Sequence, residues 1–136
     1  MKIDDVLPEQ RFRITRSDLV AYAAASGDQN PIHQSEEVAR SVGLPGVIAH
    51  GMYTLALAAR AVDVWAGAPG KVVEFGAKFT KPVVVPAGAD GAELVVNGTV
   101  KSVEDGRATI ALVVTCDGVK VLGMPLAAIS VGTRVD

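Results

Sequence analysis

The sequence predicts an α+β domain whose sheet is largely antiparallel, with helices in the first half of the chain and strands in the second. Three observations support this. Capping residues and helical apolar spacing recur as far as Gly67-Ala-Pro-Gly70. Val-, Ile- and Thr-rich runs fill the remainder, and short Gly-containing turns separate them. Runs of strands that follow runs of helices fold as α+β, and strands joined by tight turns pair antiparallel.

The elements follow in order. Thr15 and Asp18 resemble a capping box, and Leu19, Val20, Ala23 and Ala24 give the apolar stripe of a short helix that Ser26-Gly27 ends. Asp28 to His33 then form a bend around Pro31, whose fixed φ and missing N–H stop the helix from continuing. Ser35 caps a second short helix with Glu36 and Glu37 in its first turn, where the dipole favours negative charge, and Gly43 ends it. Pro45 and Gly46 force a loop. His50-Gly51 introduces a third helix, apolar on nearly every face apart from Thr54, Arg60 and Asp63, so other structure must wrap it.

Four strand-like runs come next: Val72 to Val85, Ala92 to Val103, Arg107 to Cys116 and Val119 to Val131. Glu104-Asp-Gly106 and Asp117-Gly118 carry hairpin signals. Long antiparallel strands curled around one apolar helix describe a hot-dog fold, an arrangement that periodicity alone does not separate from other helix-on-sheet packings.

With 136 residues the chain fits one domain, spanning 1–136, able to bury roughly two thirds of its unfolded surface. Its apolar content is 49%, but with one Trp, two Tyr and three Phe the core is expected to be aliphatic and tight. A net charge of −2 with interspersed signs gives no basic stripe, which argues against nucleic acid as a partner. Cys116 is the single cysteine, so no intrachain disulfide forms, and Met1-Lys-Ile-Asp-Asp lacks a secretory apolar region. Both features point to the reducing cytoplasm. The apolar run Met52 to Ala66 contains Arg60 and Asp63, and it is shorter than the ~20 residues a membrane span needs. Arg60 and Asp63 are expected to pair on one helix, and Cys116 to be a small buried thiol.

The segment Tyr22 to Ala39 concentrates chemistry: an acid, an amide and an imidazole, at Asp28, Asn30 and His33, on one rigid bend. Asp, Asn and Pro also favour turns for purely local reasons, so those residues alone mark a helix-ending turn more readily than a site. His33, five places after the acid, adds what a turn does not require.

This segment resembles the hydratase 2 signature of MaoC-like dehydratases, the (R)-specific enoyl-thioester hydratases. The match includes Ser26-Gly27-Asp28, Asn30-Pro31-Ile32-His33 and Ala39, and departs at Ala25, where a larger aliphatic is usual. The similarity continues through Ile48-Ala-His-Gly-Met52, Phe79-Thr80, Gly91-Ala-Glu-Leu-Val95 and Gly98-Thr-Val-Lys-Ser-Val103. Those segments look like the B subunit of the mycobacterial-type (3R)-hydroxyacyl-acyl-carrier-protein dehydratase. The resemblance implies one hot-dog domain that pairs with a second, as homodimer or heterodimer, with the active site at their interface. It also implies an acyl-coenzyme A or acyl-carrier-protein thioester substrate, and no metal or redox cofactor.

Within that frame Asp28 and His33 are jointly the acid/base pair for moving water on and off an enoyl thioester. Asn30 orients the bend or the water. The backbone N–H of Gly51, at the start of an apolar helix and without a Cβ to obstruct approach, is the candidate donor to the thioester oxygen. His50 and Met52 are candidate pocket residues, and Arg11, Arg13, Lys78, Lys81 and Lys101 are candidate contacts for an anionic carrier. Two other readings remain: a hot-dog thioesterase, and a non-catalytic acyl-thioester-binding or partner subunit.

Overall fold

The computed structural model describes residues 1–132. Its sheet has six strands, all pairs antiparallel, in the order β1-β3-β4-β6-β2 with the short β5 beside β4. β1 (Val6–Ile14) precedes the helices and is absent from the expectation above. Its signal is weak because Glu9, Arg11 and Arg13 crowd it and Pro8 interrupts it. Both features suit an edge strand: Pro8 falls where the register with β3 shifts, between Leu7 and Gln10, so no ladder bond is lost there.

β3 (Ala92–Glu104) and β4 (Arg107–Cys116) form the central hairpin. Asp105 and Gly106, at φ 52° and 74°, make the mirror-image turn whose twist matches the strands. β5 (Val119–Lys120) and β6 (Leu122–Ser130) occupy the last expected run, divided at Val121. β2 (Val72–Phe79) closes the other edge against β6. The run expected to reach Val85 is therefore cut short. Pro82 has no N–H for a ladder, and Val83–Val85 pair instead with the segment before the third helix. The N–H of Ala49 donates to the carbonyl of Val83 at 2.9 Å and that of Val85 to the carbonyl of Val47 at 2.8 Å.

α1 (Arg16–Ser26) begins at the capping box of Thr15 and Asp18 and ends at Gly27, whose φ of 79° only a residue without Cβ adopts freely. Leu19 and Ala23 are its buried residues, while Val20 lies outward. α2 (Glu36–Ser41) is capped by Ser35. α3 (Gly51–Ala66) lays Leu57, Ala58, Ala61 and Val62 on the sheet. Alternate residues of β3 and β4, among them Leu94, Val96, Ile110 and Val114, meet them in one core. Only one face of α3 is covered in this way, since Met52 and Val64 remain more than half exposed. The expectation of a helix wrapped on all sides is thus met on the sheet side alone.

Two smaller expectations resolve differently. Arg60 and Asp63 form no ion pair among the described residues; both side chains lie in solvent at a shallow cleft. Cys116 is buried as expected, and desolvation pushes its thiol pKa up. Trp65 donates its indole N–H to the carbonyl of Pro8 at 2.8 Å and lies over Gly98, where any Cβ would come within 2.7 Å of the ring. This contact seats the end of α3 on β1 and β3. No helix among the described residues is long and apolar enough to cross a membrane.

Candidate active site

The bend between α1 and α2 is built from short local bonds. The N–H of Asp28 donates to the Ser26 hydroxyl, that of Asn30 to the Asp28 carboxylate, and that of Ile32 to the Asn30 side chain, each at 3.2 Å. Asn30 thereby caps a single 3₁₀ turn, Pro31–His33. Of its two expected roles, this geometry supplies the first: Asn30 steadies the bend.

Tertiary pairing brings the bend to the start of α3. The N–H of Ile48 donates to the carbonyl of Ile32 at 3.3 Å. In return His33, itself buried, donates Nδ1–H to the carbonyl of Ile48 at 2.7 Å. A carbonyl accepts only, so this bond fixes the tautomer of the neutral ring and leaves Nε2 as its bare acceptor. The ring of His50 stacks on that of His33, and its Nε2–H donates to the backbone carbonyl of Asp28 at 3.1 Å.

Asp28, His33 and the first turn of α3 line one cavity of about 480 Å³. Met52, Phe79, Lys81, Val83, Val121 and Leu122 supply most of the rest of the wall, and apolar surface dominates it. Tyr53 and Thr54 donate to the carbonyl of His50, whereas the first amide of a helix has no acceptor within it, so Gly51 presents its N–H at the positive end of sixteen aligned residues. Its lack of a side chain serves packing as well: a Cβ at Gly51 would stand 3.0 Å from the Phe79 ring.

The expected site residues Asp28, His33, His50, Gly51 and Met52 thus line one cavity, while Asn30 lies off its lining and caps the bend. Of the five candidate carrier contacts, only Lys81 lines this cavity; Arg11 pairs with Glu9 and Glu93, and Arg13 with Asp90. The β2 end and the strand after it, from Phe79 to Val83, form a wall that residue spacing did not announce. Their placement depends on pairing with residues 47–49 and with β6, which no local pattern encodes.

Asp28, His33 and His50 bring ligand-type atoms within 4.8 Å of one another. The two rings nevertheless lie at 24° to each other in a stack. One nitrogen of each ring is already engaged by a backbone carbonyl, Nδ1 of His33 by Ile48 and Nε2 of His50 by Asp28.

An ion-pair clamp holds α2 against α1 beside the bend. Arg16 donates to the Glu36 carboxylate and, at 2.9 Å, to the carbonyl of Val85, while Arg40 reaches the same carboxylate at 3.1 Å. The side-chain hydrogen bond from Arg16, followed by that from Arg40, lowers the Glu36 pKa. A carboxylate whose folded pKa is depressed adds stability above its unfolded pKa and loses it as pH falls through the folded one. The stability gap between the parent and Glu36→Gln is therefore expected to be open at neutral pH and to close below the ordinary carboxylate range. Urea unfolding of both proteins across that range checks it, and a gap that widens toward acid would contradict the clamp.

Known proteins share the family and the fold of this chain. A family model for the MaoC like domain matches residues 3–119. The 3-hydroxyacyl-thioester dehydratase X of Mycobacterium tuberculosis is 43% identical over 82 residues, which are 60% of this chain and 28% of that protein. A solved MaoC-like dehydratase superimposes with a TM-score of 0.93 at 36% identity, over 97% of this chain and 41% of its own. The R-hydratase PhaJ1 of Pseudomonas aeruginosa superimposes with a TM-score of 0.80 at 27% identity, over 96% of this chain and 82% of its own. The chain therefore spans less than half the length of the first two of these relatives. With the hot-dog sheet, the bend of Asp28 and His33 facing the start of α3, and a family match over most of its length, this chain belongs to the MaoC-like domain family.

Proposed function

We propose that the chain catalyses the reversible hydration of trans-2-enoyl thioesters to (3R)-hydroxyacyl thioesters, carried by coenzyme A or acyl carrier protein, in fatty-acid metabolism. The observation that carries this reading is that Asp28 and a buried His33, whose Nδ1–H is held by Ile48, line the same apolar cavity as Gly51 at the start of α3.

The chemistry follows from the atoms. Hydration puts a hydroxyl on C3 and a proton on C2, and charge passes through the thioester oxygen between the two events. Asp28 and His33 Nε2 hold a water between two acid/base groups, one taking its proton and one returning a proton to carbon. The thioester oxygen meets the Gly51 N–H, aided by the positive end of α3 in an environment of few competing dipoles. Dehydration runs the same steps in reverse. The acyl chain lies along the apolar wall of Met52, Phe79, Val83 and Val121.

The reading extends to assembly. The exposed apolar residues Met52 and Phe79, 58% and 57% accessible at the cavity wall, support pairing with a second hot-dog domain, identical or not, over the mouth of this site. The reducing cytoplasm remains the compartment in which the free Cys116 is at home.

Absorbance of the conjugated enoyl thioester, followed in crotonyl-coenzyme A and in a longer trans-2-enoyl-coenzyme A beside a free-thiol assay, tests the proposal. Loss of absorbance without thiol release is the expected result. Thiol release at the same rate would make the chain a thioesterase. No change in either signal, including with acyl-carrier-protein substrates, would favour a non-catalytic partner subunit.

A further inference from the structure

Two imidazoles are packed face to face in this cavity, and the hydration chemistry uses only one of them. His50 is 2% exposed, and its ring centroid lies 3.8 Å from that of His33 with 24° between the planes. The ring of Tyr22 closes on His50 at 4.7 Å in an edge-on contact. Nε2–H of His50 donates to the backbone carbonyl of Asp28, twenty-two residues away in sequence. His50 is also the N-cap of α3: its own carbonyl accepts from Tyr53 and Thr54, and the next amide in the chain is that of Gly51.

We infer that His50 is a positioning residue for the acid/base pair, acting through the backbone of Asp28 and the ring of His33. This rests on the reading of those two residues as the groups that move protons. The argument begins with what each would lack otherwise. Asp28 sits on an exposed bend whose remaining hydrogen bonds are to Ser26 and Asn30, its near neighbours. Such bonds shape a turn but do not fix Asp28 to the body of the protein, and the bonds of Ile32 and His33 to Ile48 hold only the far end of the bend. The bond from His50 holds the Asp28 end, because His50 is anchored at the head of α3. His33 is held at one point, Nδ1, and a ring held at one point still rocks. A flat, buried ring lying against its face removes that motion.

The tautomer of His50 belongs to the same device. With Nε2–H given to the Asp28 carbonyl, Nδ1 is a bare acceptor, buried and without a partner among the described residues. Moving the proton to Nδ1 would leave it unpaired and release the Asp28 backbone. The ring is held in this form by its packing between His33 and Tyr22.

The test separates the tether from the stack. His50→Gln retains an N–H near the Nε2 position without the ring, His50→Phe retains a ring without the donor, and His50→Ala loses both. In steady-state hydration of the enoyl thioester, His50→Ala is expected to lower kcat roughly 100-fold, the cost of a small misplacement of reacting groups. KM should stay within about threefold of the parent, because ground-state binding is not what His50 supplies. Glutamine should recover about tenfold of that loss and phenylalanine less. A kcat for His50→Ala within about threefold of the parent, or a loss that falls on KM alone, overturns the role. So does glutamine performing no better than alanine when both melt as the parent does. Should the alanine variant fail to fold, the comparison of glutamine with phenylalanine decides in the same way. His33→Ala in the same assay keeps the two readings apart. If it turns over like the parent, the acid/base reading fails; if it is inactive and His50→Ala is not, only the role of His50 fails. Nitrogen NMR of histidine-labelled parent protein gives an arm without turnover: the proton of the neutral His50 ring is expected on Nε2, and a neutral ring protonated on Nδ1 would overturn the assignment.

Discussion

Replacing His33 by asparagine should lower enoyl-thioester hydration by about 10²- to 10⁴-fold, the usual worth of a positioned acid/base group, with the fold retained. Asparagine is the informative substitution because of where His33 makes its one hydrogen bond. Its Nδ2 stands close to the Nδ1 of the imidazole, so the bond to the carbonyl of Ile48 can persist, while the proton-exchanging Nε2 disappears. His33→Ala removes the chemistry too, but it also leaves the part-buried carbonyl of Ile48 with one partner fewer and so costs stability. Comparing the two variants separates catalysis from stability. Asp28→Asn is the matching change on the other side of the water: the Asp28 side chain still accepts from the Asn30 N–H through an amide oxygen, yet no longer titrates. Rates of absorbance loss for all three proteins, with melting curves alongside, give the measurement. Near-parental turnover by His33→Asn or by Asp28→Asn would end the assignment of these residues.

A second large effect is expected at Gly51, and there the backbone itself is the reagent. Proline is tolerated at the first position of a helix because that N–H has no helical partner, and Gly51 is the first residue of α3. The residue before a proline must be extended, and His50 at φ −58° and ψ 133° already is. Gly51→Pro should therefore fold while losing the N–H offered to the thioester oxygen. Loss of a single donor of this kind typically costs about 10²- to 10³-fold in kcat. Gly51→Ala is the control, since it retains the N–H and adds the same first side-chain carbon against Phe79. The ratio of the two rates isolates the donor from the crowding. Equal rates would mean that the thioester oxygen finds its stabilisation elsewhere.

What the sequence by itself determined is local. Thr15 and Asp18 cap α1, Gly27 stops it, Pro31 bends the chain, Ser35 restarts it, and Asp-Gly turns close two hairpins. Each is a matter of a few neighbouring residues with fixed dihedral preferences or short side-chain hydrogen bonds, and so the bend carrying Asp28, Asn30 and His33 was legible before any fold was known. The family signature was legible for the same reason, because it lies within one contiguous stretch.

Tertiary structure decided the rest. β1 reads as a charged segment because an edge strand needs few apolar residues, and only its register with β3 makes it a strand. Val72 to Val85 reads as one strand because Val is indifferent to which partner it pairs with; residues 47–49 take its second half away. The tautomer of His33, the ring of His50 against it, and the Phe79 ring over Gly51 all join segments remote in sequence. Which of several chemically similar groups meet is fixed by packing over the whole sheet, a sum of many weak contacts that no short window of residues contains.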